Sequence, residues 1–143
     1  MTATDALASN PSRLVSTPTL LELGAEDLEP LEVAPAPDRV LACDEEPDAS
    51  AADARCLAIE FPAFNDGRGL SLAVLLRQRF GFTGELRAVG ETHPELYHYL
   101  YRCGFDSVQQ TSAYSLSEIR AAYRPHQAQY QSSVRAPLPH YRR

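Results

Sequence analysis

CLAIEFPAFNDGRGLSLAVLLRQRFGFTGELRAVG, residues 56–90, alternates between two periodicities. Cys56 to Phe61 is a mostly apolar run of strand length. GLSLAVLLRQRF (69–80) carries apolar residues at 72, 73, 75, 76 and 80, the spacing of one helix face, and Gly81 closes it. ELRAVG (85–90) reads as a second strand. Two short strands joined by one helix imply parallel pairing through a right-handed crossover.

The same alternation continues downstream. Thr92-His93-Pro94-Glu95 has the form of a capping box with proline in the first turn. It opens a predicted helix, PELYHYLYRC, that stops at Gly104. SVQQT (107–111) is a third strand, and Ser115 with Glu118 forms a second capping box. Leu116, Ile119 and Tyr123 then line one helix face. Upstream, RVLACD (39–44) adds a fourth strand, and the acidic EEPDASAADAR (45–55) holds a helical turn near 49–54. The fold class is α/β, a two- or three-layer β-α-β-α-β-α unit with a mostly parallel sheet of three to four strands.

This divides the chain into three parts. Residues 1–38 form a poorly ordered or docking N-terminal segment, 39–130 the α/β domain, and 131–143 an extended tail containing Arg and Pro. Within the first part, TLLELGAEDLEPLEV has leucines near helical spacing at 20, 21, 23 and 28 before Pro30 interrupts, which reads as a weak element or a docking segment.

The composition excludes several classes. The 143 residues contain no apolar run long enough to cross a membrane and no secretion signal, so a cytoplasmic protein is expected. Cys43, Cys56 and Cys103 are odd in number and form no CxxC pair, which argues against a disulfide framework or a cysteine-rich metal site. Every strongly basic residue is Arg, so a Schiff-base lysine and a Walker lysine are both ruled out. Net charge is −6, split unevenly: residues 1–54 carry 12 acids and 2 Arg, residues 55–143 carry 7 acids and 11 Arg. The acidic total argues against nucleic acid as a partner.

The turn Asp66-Gly67-Arg68-Gly69 lies where open α/β sheets bind ligands, beyond a strand's carboxyl end. A helix N-terminus, close-approach glycines and the Arg68 fork together suit a small oxyanion or a partner's carboxylate. A purely structural reading stands beside it. Asn65 or Asp66 caps the helix, Gly67 supplies a positive φ, and Arg68 pairs with Glu60 or Glu85. Glu91 and His93 fall at the next strand-to-helix turn on the same edge, as an acid–base pair or as a solvated rim of a capped helix. Metal ligands at defined spacing are missing. Tyr97 and Tyr101 share a helix face, while Tyr99 is expected with Leu96, Leu100 and Cys103 toward the core. Arg135, Tyr141, Arg142 and Arg143 make the tail a docking arm for its own chain or another.

EFPAFNDGRGLSLAVLLRQRFGFTGELRAVG, then YRCGFD, then a closing PLPHYRR, resembles an uncharacterised bacterial family whose genes commonly neighbour that of assimilatory sulfite reductase. Its members are often labelled as oxidoreductases of sulfite reduction. The likeness covers about residues 39–143. One stretch departs: where the family has an acid, an apolar pair and Asp-Gln, this chain reads Glu91-Thr92-His93-Pro94-Glu95-Leu96. The resemblance implies a role in sulfur assimilation, and the leading expectation is an accessory protein of assimilatory sulfite reduction that binds sulfite reductase or another sulfur-assimilation protein. Flavin, nicotinamide, haem and cluster motifs are absent from the sequence, so no cofactor is expected, and whether the chain is an enzyme stays open. Two alternatives remain: an oxyanion-binding enzyme or sensor using the DGRG turn, and an interaction module without ligand.

Overall fold

In a computed structural model, residues 19–24, 27–31, 36–63, 66–110, 114–123 and 133–135 are described. The strands are β1 (Thr19–Leu23), β2 (Leu28–Leu31), β3 (Arg39–Ala42), β4 (Cys56–Phe61), β5 (Glu85–Gly90) and β6 (Ser107–Gln110). The helices are α1 (Arg68–Gln78), α2 (Tyr97–Cys103) and α3 (Leu116–Ala122), with 3-10 turns at Ala49–Asp53 and Pro94–Leu96. From Cys56 onward the order is the expected β-α-β-α-β-α.

All six strands form one sheet in the order β2-β1-β6-β5-β4-β3. β3 to β6 pair in parallel, each beside its successor. Right-handed crossovers that step one strand at a time in one direction keep successive helices on one face. The core agrees with this. Leu41, Leu57, Ile59, Phe61, Leu86, Ala88 and Val108 share one sheet face, and they cluster with Leu72 and Leu76 of α1, Tyr97 and Leu100 of α2, and Ile119 of α3. The described elements thus make two layers. Burial of each leucine contributes about 1.5–3 kcal/mol. The opposite face carries the cross-strand row Val40, Ala58, Arg87 and Ser107. There Glu85 accepts from both Arg87, at 2.9 Å, and the Ser107 hydroxyl, at 2.9 Å.

The sheet is wider than expected because the N-terminal leucines form a hairpin. Leu21, Leu23 and Leu28 are buried while Glu22 and Glu29 face out, a period of two that outweighs the approximate helical spacing. The Gly24 N–H donates to the Asp27 carbonyl at 2.8 Å and closes the turn. β1 then pairs antiparallel with β6. Two contacts from the end of α3 hold the hairpin down: Tyr123 Oη donates to the Gly24 carbonyl at 2.6 Å, and Arg120 reaches the Leu28 carbonyl. Pro30 sits in β2 at the sheet edge, where a missing N–H is tolerated.

The second capping box forms as expected. Ser115 Oγ accepts from the Glu118 N–H, and the Glu118 carboxylate accepts from the Ser115 N–H at 2.7 Å. Ser115→Ala is expected to destabilise the protein by about 1 kcal/mol. Urea unfolding checks this; an unchanged midpoint would mean that α3 is held by Ile119 and Tyr123 alone.

Candidate functional site

The loops that follow β3, β4 and β5 meet at the carboxyl edge of the parallel strands, where such sheets present their ligand sites. Between the turns after β4 and β5 lies a cleft of about 100 Å³. Phe61, Leu70, Leu96 and Leu100 form its apolar lining, with Asp66, Gly67, Glu91, Thr92 and His93 around them. Four residues singled out from the sequence, Asp66, Gly67, Glu91 and His93, are therefore brought together. Arg68 is turned away. It lines a shallower groove with Cys43, Asp44, Glu45 and Leu75.

Arg68 is already partnered. Its Nε lies 3.0 Å from Asp66 Oδ1 and its Nη2 2.7 Å from Asp66 Oδ2, a two-point fork on the carboxylate. Asp44 lies 3.9 Å from Nη1; Glu60 and Glu85 are not its partners. Asp66 also accepts the Arg68 backbone N–H at 3.0 Å, so this carboxylate occupies the free amide end of α1. The Arg68 side-chain and backbone bonds hold its carboxyl well below the usual range. The Cys43 thiol approaches Asp66 Oδ2 at 3.6 Å, and burial pushes that thiol up. Burial likewise raises Cys56, to about 12, and Cys103, so all three cysteines stay protonated near neutral pH.

The acid behaviour of Asp66 is testable. A carboxyl lowered in the native state adds stability above its unfolded pKa of about 4, and that stability is lost as pH falls through the native value. Asp66→Asn is expected to melt below the parent by a constant interval from about pH 5 upward, and the interval should shrink below about pH 4. Thermal melts of both proteins across this range decide it; an interval unchanged into acid would remove the Asp66–Arg68 pair as a source of stability.

The two glycines of the turn differ. Gly69 is required by packing, since a Cβ there would lie 2.5 Å from the Phe61 ring. Gly67 is not required by backbone conformation. Its φ is −75°, not the positive angle expected, and a Cβ would meet nothing within 4 Å. It is the N-cap of α1, with no side-chain cap; Asn65, the other proposed cap, lies outside the described residues.

At the next turn the predicted Thr92–Glu95 box is replaced by a different arrangement. His93 is the N-cap, its Nδ1 accepting from the Glu95 N–H at 3.3 Å. Thr92 is buried and donates to the Gln109 carbonyl at 3.2 Å. The other ring nitrogen, Nε2, lies 3.3 Å from Tyr114 Oη. Tyr97 and Leu100, three positions apart, share the inward face of α2, and Tyr99, which falls off that stripe, is 52% exposed rather than part of the core.

Arg135 docks on its own chain. Its guanidinium donates to the carbonyls of Tyr101 and Phe105, meets Asp106 at 3.0 Å and stacks over the Tyr101 ring. Tyr141, Arg142 and Arg143 lie outside the described residues. Sequence reasoning missed the partner of this contact, a hub built on Arg77. Arg77 donates to the carbonyls of Phe82, Gly84 and Gly104 and pairs with Asp106 at 2.6 Å. Asp106 Oδ2 also accepts the Leu86 N–H at 3.0 Å. The available signal was an arginine directly beside a core position of α1, followed far along the chain by Gly-Phe-Asp.

Among the described residues no three His, Cys, Asp or Glu side chains gather as a metal site, and no helix is long and apolar enough to cross a membrane. Neither the curated proteins nor the solved structures contain a significant match to this chain. A family model does match, over residues 40–141, which takes in the parallel strands, all three helices and both turns of the cleft. The chain belongs to the bacterial family of unknown function DUF934.

Proposed function

We propose that the protein is a docking accessory of assimilatory sulfite reduction, which binds sulfite reductase or another protein of sulfur assimilation through the carboxyl edge of its sheet. The observation that carries the docking reading is the pairing of Arg68 with Asp66 beside a cleft with an apolar lining. An oxyanion entering the DGRG turn meets a cation whose fork is already closed by a carboxylate, so it has to displace Asp66 to bind. A protein side chain entering the cleft finds apolar surface to cover and displaces no ion pair. The pathway rests on the resemblance of EFPAFNDGRG, GELRAVG and RCGFD to the family encoded beside sulfite reductase, and it carries a cytoplasmic location with it.

Purified sulfite reductase passed over the immobilised full chain tests this directly. Retention at micromolar protein is expected. Absence of retention, together with a thermal shift on sulfite or sulfate that disappears in Arg68→Ala, would overturn the docking reading in favour of an oxyanion site.

A further inference from the structure

The chemistry of the cleft restricts what enters it. At about 100 Å³ it is smaller than the cavity of about 150 Å³ known to hold benzene, so it suits one branched aliphatic side chain. Its rim is acidic. Glu91 lines it and Glu95 follows two residues after His93; both are exposed and make no ion pair among the described residues. Arg68, in the turn that gives the cleft Asp66 and Gly67, is held by Asp66. A partner segment with acidic flanks would be repelled by this edge, and one with basic flanks attracted.

Gly67 adds a second observation. It lines the cleft, has ordinary helical φ and ψ, and leaves open space where a side chain would stand. Neither strain nor packing calls for glycine, which leaves the cleft mouth open to close approach. We infer that the cleft receives an aliphatic side chain of a partner protein, presented on a segment whose flanking residues are Lys or Arg. This deepens the docking reading and rests on it, by assigning the chemistry of the partner at the same edge.

Three fluorescein-labelled nine-residue peptides on one Gly/Ser frame test it by anisotropy with the full chain. Their centres are Arg-Leu-Arg, Glu-Leu-Glu and Arg-Ser-Arg. The Arg-Leu-Arg peptide is expected to bind at least about tenfold tighter than the other two and to weaken severalfold as salt rises from about 0.05 to 0.5 M. Gly67→Phe, at a position where a Cβ meets nothing within 4 Å, should abolish binding in a protein that still melts cooperatively. The double variant Glu91→Lys/Glu95→Lys should reverse the preference toward Glu-Leu-Glu, which keeps the test valid if Gly67→Phe folds poorly. Equal affinity for the three peptides, no measurable binding of any, or binding retained in a folded Gly67→Phe overturns the inference. Sulfite reductase held equally by native protein and Gly67→Phe would overturn it too, while leaving the accessory role intact. Peptide selectivity without retention of sulfite reductase would support the cleft and sink the pathway assignment.

Discussion

Arg77→Met is expected to lower the unfolding free energy by about 3–5 kcal/mol. Methionine keeps much of the stem but removes every donor of the guanidinium. The Phe82, Gly84 and Gly104 carbonyls lose the bonds that Arg77 supplies, and Asp106 loses its 2.6 Å partner. Arg77 is only 13% exposed, so water replaces these bonds poorly. The loss is also distributed. These bonds tie α1 to the loop before β5 and to the turn between α2 and β6, while Asp106 carries the contact onward to Arg135. A drop of about 10 °C in melting temperature should accompany it. Urea unfolding, with the slope compared between variants, gives the measurement. A loss under about 1 kcal/mol would show that the carbonyls are satisfied without Arg77.

Gly90→Ala comes next, at about 3 kcal/mol. Gly90 has φ of +87°, a region that L side chains rarely adopt, and a Cβ there would lie 2.5 Å from the Phe61 carbonyl oxygen. That oxygen is backbone and cannot swing aside. It also accepts the Glu91 N–H at 2.8 Å, so the clash falls on the strand pair that sets the cleft. Gly67→Ala provides the contrast, since nothing stands within 4 Å of its Cβ, and its cost should stay near 0.5 kcal/mol or less. Parallel urea curves compare the two; equal losses would contradict the account of both glycines.

These residues show how far pattern alone carries. The strands at Cys56–Phe61 and Glu85–Gly90 and the Ser115 capping box were legible because each rests on a local rule: an apolar run, a flanking turn, a cap with its reciprocal acid. Asp66, Gly67, Glu91 and His93 were legible as candidates because topology sends consecutive strand ends to one edge. The direction of Arg68 was not. A long side chain chooses among several carboxylates, and only the folded turn decides that Asp66 wins over Glu60 and Glu85.

The hairpin of β1 and β2 marks the same boundary. Leu20, Leu21, Leu23 and Leu28 fit a helix about as well as they fit a strand, so local periodicity was indifferent. The open edge of β6, and the anchoring by Tyr123 and Arg120 roughly a hundred positions later, settled the matter. Arg77 and Asp106 are alike in this respect. Each reads in sequence as an ordinary surface charge, and becomes part of a half-buried hub only when α1 and the end of α2 are packed together. From the order of residues alone came the α/β alternation and the edge that carries the cleft, since both depend on contacts between near neighbours. The sixfold sheet, the closed Arg68–Asp66 pair and the acidic mouth of the cleft came from tertiary structure, because each is a choice between distant or competing partners that only packing resolves.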